Sequence, residues 1–137
     1  LLELCQINLK VYIENIDENE KSKFKLNKID ILKQMTKGLS YLHKNDTKAI
    51  IHRDLIPENV LFSYPDKNGN VYIKLADFGM SKLLDDKINA FKKHSSECGT
   101  LGWIAPEVFK KRHESKKMDV FSLGCLFYYV LTDGSHP

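Results

Sequence analysis

Apolar positions in the 137-residue chain recur at helical spacing in some stretches and gather into short runs in others. The clearest helix is predicted over Asn27 to Asn45. Leu32, Met35, Leu39 and Leu42 follow one another at spacings of 3, 4 and 3, which places them on one face. Asn27 can cap the start, Asp30 suits the positive end of the helix dipole, and Asn45 and Asp46 suit its end. Such a Met and Leu stripe is ordinary core, so no chemistry is assigned to it. A shorter helix is read over Asn8 to Glu14, with Leu9, Tyr12 and Ile13 on one side. Leu1 to Cys5 reads as the end of a strand, and the charge-rich stretch from Glu14 to Lys25 as a surface loop.

Val60 to Ser63 and Val71 to Leu75 are β-rich runs separated by Pro65-Asp66-Lys67-Asn68-Gly69-Asn70, which predicts a hairpin with a long loop. Antiparallel pairing would bring Asn59, just before the first strand, and Asp77, just after the second, to one edge. Asp77 to Glu107 shows little periodicity, and long connections of that kind are usually functional or mobile. Met118 to Leu131 is apolar nearly all round, as in a helix buried in a core. Asp119 at its start is the exception, and a buried carboxylate needs donors.

Composition narrows the class. A content of 42% hydrophobic and 28% charged residues is that of a soluble globular domain, and the length suits about one domain. A net charge of +3 is too small to suggest nucleic-acid binding. Val120 to Leu131 contains Ser122 and is too short to span a bilayer, and no signal peptide opens the chain. Cys5, Cys98 and Cys125 are scattered, which points to reduced thiols in a cytosolic setting. The sequon at Asn45 carries no meaning there.

The chemistry concentrates in His52-Arg53-Asp54-Leu55-Ile56-Pro57-Glu58-Asn59, flanked by the apolar pairs Ile50-Ile51 and Val60-Leu61. His-Arg-Asp-Leu followed by three residues and Asn is the pattern of a phosphoryl-transfer loop. Such an enzyme must accept or orient a hydroxyl proton, which Asp54 can do. It must also hold a hard cation through oxygen, which the Asn59 amide carbonyl can do. Charged triplets are common in turns, so His-Arg-Asp alone is weak. The pattern gains weight from Asp77-Phe78-Gly79, 23 residues after Asp54, and from Ala105-Pro106-Glu107.

Together these motifs resemble the larger, C-terminal lobe of a eukaryotic protein kinase. The expected fold class is α+β: a protein-kinase-like, mostly helical lobe with a small β-hairpin. On this resemblance residues 1–137 form a partial kinase domain, from the hinge at Glu3-Leu4-Cys5 through the activation segment to the helix after it. The Gly-rich loop, the strand Lys and its Glu partner would lie upstream, and the remaining helices downstream. A sugar or antibiotic phosphotransferase also uses a His-x-Asp loop, but Ala105-Pro106-Glu107 and the long activation segment speak against one.

Within the kinases, Glu3-Leu4-Cys5, Gly99-Thr100-x-Gly102-Trp103-Ile104-Ala105-Pro106-Glu107, Gly124-Cys125-x-Phe127-Tyr128-Tyr129-Val130 and Gly134-Ser135-His136-Pro137 resemble one family. It is that of the inositol-requiring endoplasmic-reticulum stress sensors, which join a kinase to an endoribonuclease. Ribonuclease L is a more distant relative. The resemblance implies Ser/Thr specificity, ATP and Mg2+ as cofactors, and Asp54 as catalytic base. Asn59 and Asp77 would be the metal ligands, and backbone groups of Glu3 and Cys5 would bond the adenine. His52 and Phe78 would pack rather than react, and Asp119 would hold the His-Arg-Asp backbone from below. Glu107 would pair with an Arg beyond Pro137. Arg53 would receive a phosphate carried by the activation segment, with Ser95 and Ser96 as candidate acceptors.

The parent would bind ATP or ADP, pair with itself, and phosphorylate its own activation segment. It would meet RNA only through a downstream ribonuclease domain, and would work on the cytosolic face of the endoplasmic reticulum membrane. The segment alone is expected to be inactive. One position departs from the kinase pattern: Ile56 stands where Ser/Thr kinases usually carry Lys. Loss of one electrostatic donor to a transferring phosphate costs on the order of 10²-fold or more in rate. Two expectations follow, a slow kinase or a nucleotide-binding pseudokinase switch.

Overall fold

A computed structural model describes residues 4–44, 49–83, 99–109 and 115–137. Glu3, Ser95, Ser96 and Cys98 lie outside the described residues, as do Asn45 and Asp46.

The chain enters through β1 (Cys5–Asn8) and turns at once into α1 (Leu9–Glu14). The switch occurs at Asn8, whose side chain accepts from Val11 N–H at 2.9 Å and so caps the helix. Leu9, Tyr12 and Ile13 are buried, as their spacing predicts. The stretch read as a loop differs: it contains α2 (Glu18–Ser22), capped by Asp17. None of its residues is buried, so no apolar stripe marks it. Phe24 just beyond packs edge-on against Tyr12 and Phe62, at centroid distances of 5.4 and 5.5 Å.

Helix α3 (Lys28–His43) fills the predicted span. Asn27 and Asp30 form a reciprocal capping box, with Asp30 N–H donating to Asn27 Oδ1 at 2.9 Å. Ile31, Leu32, Met35 and Leu39 are buried against the sheet and the last helix.

The hairpin forms from β3 (Val60–Ser63) and β4 (Ile73–Leu75), antiparallel with Val60 opposite Leu75. β1 adds on the other side of β3, giving a three-stranded sheet in the order β1-β3-β4. Gln34 of α3 accepts from Ile73 N–H at 2.9 Å and so occupies a donor on β4. The hairpin loop is closed by Asp66, whose carboxylate accepts from Asn68 N–H, Asn70 N–H and Tyr72 OH. A second ribbon, β2 (Ile50–Ile51) with β5 (Lys82–Leu83), was not legible from period. It ties the stretch after Asp77-Phe78-Gly79 to the strand before His52.

Short α4 (Pro106–Phe109) precedes α5 (Lys116–Leu131). Met118, Leu123, Leu126, Tyr129 and Val130 of α5 are buried. The expectation of a helix buried all round is corrected. Val120, Phe121, Tyr128 and Leu131 form an exposed stripe, because the described elements cover one side of the helix only.

Candidate active site

The site is built on the ends of four elements. Residues 52–56 leave β2, the 3-10 turn Pro57–Asn59 leads into β3, β4 delivers Asp77, and the turn after Gly99 closes from the side. Pro57 starts the 3-10 turn, where its missing N–H costs nothing. Ala76 N–H donates to Asn59 O at 2.9 Å, so the hairpin register places Asn59 beside the residue preceding Asp77. This is the shared edge that antiparallel pairing predicts.

Asp54 is buried at 8% exposure and is hydrogen-bonded on both carboxylate oxygens. Its Oδ1 accepts from Thr100 N–H at 3.1 Å and from the Thr100 hydroxyl at 2.8 Å. Its Oδ2 accepts from Asn59 Nδ2 at 3.2 Å, and the same amide group donates to Asp54 O at 2.9 Å. Because the Asn59 nitrogen faces Asp54, its carbonyl oxygen is the atom left to offer a cation. Asp77 is exposed and stands in the left-handed region at φ 60°. Its Oδ1 accepts from Gly79 N–H at 3.1 Å. Arg53 is left-handed too, at φ 71°. Non-glycine residues in this region store on the order of 1–3 kcal/mol each and persist where the surroundings hold them.

Asp119 does that holding for Arg53. It is 1% exposed, at the start of α5. Its Oδ1 accepts from Arg53 N–H and its Oδ2 from His52 N–H, both at 2.9 Å. His43, at the end of α3, places Nε2 2.8 Å from the same Oδ2. One carboxylate thus joins both long helices to the backbone immediately before Asp54.

His52 is buried and packs its ring against Phe78 at 5.0 Å. Its Nε2 lies 2.9 Å from Ala76 O, which requires the proton on Nε2, and Nδ1 is buried without a partner among the described residues. Burial lowers the His52 pKa below the usual histidine value, against smaller opposing effects led by the Ala76 hydrogen bond. Phe78 itself is half-exposed. The Arg53 side chain reaches the other way, with Nε donating to Met80 O. Cys5 sits opposite Ser63 at the end of the sheet. Ile56 is half-buried at the head of the 3-10 turn.

Thr100 and His43 escaped the sequence reading as site residues. Gly99 explains how Thr100 arrives. It has φ 118°, and a Cβ there would lie 2.8 Å from Arg53 O, so the backbone passes too close for a side chain. A glycine just before a hydroxyl residue was the available signal for Thr100. His43 carried none, since a histidine closing a helix reads as an end residue.

A profile of the family described as protein kinase domain matches residues 1–136. The chain belongs to the protein kinase family. It is 41% identical over 138 residues to the serine/threonine-protein kinase/endoribonuclease ire-1 of Caenorhabditis elegans, covering 99% of this chain and 14% of that protein. Human serine/threonine-protein kinase/endoribonuclease IRE2 is 41% identical over 139 residues, with the same coverage of each chain. The Schizosaccharomyces pombe sensor for unfolded proteins in the ER, ire1, is 32% identical across the whole chain and 15% of its own length. The resemblance to kinase/endoribonucleases is therefore borne out, and so is the α+β kinase fold. The chain spans about one seventh of the length of these relatives. Among the described residues no helix is long and apolar enough to cross a membrane.

Proposed function

We propose that the protein carrying this chain is a Ser/Thr protein kinase of the stress-sensor type that phosphorylates its own activation segment, slowly. The observation that carries this reading is the state of Asp54. It is a buried carboxylate oriented on both oxygens, by Thr100 on one and Asn59 on the other, at the edge where the hairpin delivers Asp77. A base held in that way is positioned before substrate arrives.

In the proposed reaction a serine hydroxyl is oriented by Asp54. Its oxygen bonds to the γ-phosphorus of ATP as the bond to the ADP oxygen breaks, and its proton passes to Asp54. Asn59 through its carbonyl and Asp77 through its carboxylate would hold Mg2+. Two protein oxygens suit that ion, which usually takes one or two carboxylates, with phosphates and waters completing its shell. When bound, the ion supplies neutralisation of phosphate charge. Backbone groups at Glu3 and Cys5 would take the adenine. Arg53, held beside Met80 at the entry to residues 84–98, would receive a phosphate on Ser95 or Ser96.

By likeness to the relatives, the parent would be a self-pairing sensor on the cytosolic face of the endoplasmic reticulum membrane, with RNA handled by an attached ribonuclease. Residues 1–137 would be a partial kinase domain, inactive in isolation, since the Gly-rich loop and strand Lys of kinases are not among them. The test is phosphate incorporation by the complete protein with Mg2+ and ATP. Incorporation that vanishes in Asp54→Asn supports the reading, and incorporation that survives it does not.

Ile56 favours a second reading, in which ATP or ADP acts as a conformational ligand for pairing and ribonuclease output without useful transfer. An aliphatic side chain at the head of the loop cannot neutralise a transferring phosphate.

A further inference from the structure

Helix α5 ends in a turn that sends the chain back over the segment beside Asp54. Asp133 is left-handed at φ 53°, and Gly134 follows at φ 102°. Gly134 N–H donates to Tyr129 O and Thr132 N–H to Tyr128 O, both at 2.9 Å, which closes the helix around a left-handed residue. Lys28 of α3 fixes that residue, with Nζ 2.7 Å from the Asp133 carboxylate and 3.2 Å from Leu131 O.

The turn delivers His136 onto Gly102 and Trp103. The His136 and Trp103 rings meet edge to face, with centroids 4.7 Å apart and planes at 90°. Gly102 has φ 93°, and a Cβ there would lie 3.2 Å from His136 Nε2. The imidazole therefore rests on ring and backbone together. Trp103 is also held from beneath. The Ser122 hydroxyl donates to Trp103 O at 2.6 Å, and Tyr129 offers a ring edge at 5.8 Å. Trp103 N–H closes back on Thr100 O at 3.0 Å, and Thr100 bonds Asp54. Leu101 and Gly102 face solvent in this turn.

A protein segment that brings a hydroxyl to Asp54 must rest its neighbouring residues on surface close by. The turn 99–103 is exposed surface joined directly to Asp54. Resting on the kinase reading above, we infer that His136 is a positioning residue for the protein substrate. By clamping Trp103 and the Gly102 backbone it keeps this turn in the shape against which the acceptor segment lies. Edge-to-face pairs carry roughly a two- to tenfold effect on an equilibrium, and that is the size expected here.

The test uses the complete protein as enzyme and its Asp54→Asn copy as protein substrate, with Mg2+ and ATP. His136→Ala in the enzyme copy raises KM for the protein substrate about twofold to tenfold, while KM for ATP is unchanged. His136→Phe keeps a ring edge against Trp103 and restores KM to near the parent value. An unchanged KM for protein in His136→Ala overturns the inference. So do a parallel rise in KM for ATP, which signals general loosening, and a failure of His136→Phe to rescue. A wild-type enzyme that transfers no phosphate to the copy defeats the kinase reading itself, a result distinct from a working enzyme indifferent to His136.

Discussion

Replace Asp119 with alanine and the amides of His52 and Arg53 lose their acceptor at 2.9 Å, while His43 loses its partner at 2.8 Å. A buried donor left unsatisfied costs about 1–3 kcal/mol. The His52 amide is the more deeply placed of the two, and His43 keeps some access to water. Removing a buried carboxylate also removes its own desolvation cost, which offsets part of the loss. The net expectation is a loss of about 2–4 kcal/mol, a large share of a typical 5–15 kcal/mol domain stability. The loss is local first, because Arg53 is freed from φ 71° and has an easier conformation to fall into. Hydrogen exchange on a peptide spanning residues 50–61 reads this directly. At 1.4 kcal/mol per decade, exchange should quicken by roughly 30- to 1000-fold. Phosphate transfer should fall with it, since Asp54 follows Arg53 in the chain. Asp119→Asn, which keeps one acceptor oxygen but turns a donor on one amide, should fall in between. Exchange within about threefold of the parent in Asp119→Ala would show that the carboxylate is not what holds the loop.

Three further expectations follow from the same geometry. Gly99→Ala puts a Cβ 2.8 Å from Arg53 O at a φ that side chains avoid, so it should cost on the order of 1–3 kcal/mol and reduce transfer by displacing Thr100 from Asp54; thermal denaturation and transfer rate check it. His52 has a lowered pKa through burial, so the unfolded chain binds its proton more readily than the folded one. Stability is therefore full above the ordinary histidine pKa and declines as pH falls through about 6.5; His52→Gln should flatten that slope in urea titrations at stepped pH. Ile56→Lys restores a cation at the head of the loop and should raise transfer by about 10²-fold; an unchanged rate in steady-state assays would show that Ile56 does not limit it.

The parts of the fold that were legible share a physical cause. α3 announced itself because Leu32, Met35 and Leu39 had to face the sheet, and because Asn27 and Asp30 satisfy each other's backbone. The hairpin was legible because turn residues interrupt two β-rich runs, and its register then placed Asn59 beside Ala76, the residue before Asp77. α2 was hidden because a helix that buries nothing leaves no apolar trace, only Asp17 as a cap. The β2–β5 ribbon pairs two-residue segments some 30 positions apart, and such brief pairing has no period to read. For α5 the apolar residues were visible, but which of them face neighbours depends on what packs there, and Val120, Phe121, Tyr128 and Leu131 do not. At the site, the motif residues Asp54, Asn59 and Asp77 stood out by spacing, and Asp119 by its misfit with an apolar helix. Thr100 and His43 did not, because their importance lies in contacts across 46 and 76 positions of chain.

Phosphate incorporation by the complete protein, supplied with Mg2+ and ATP and compared with its Asp54→Asn form, decides whether this loop transfers phosphate. Slow incorporation into the activation segment that disappears in Asp54→Asn, with nucleotide still bound, is the predicted result. Incorporation that persists without the Asp54 carboxylate would contradict the assignment of this loop as the site of transfer.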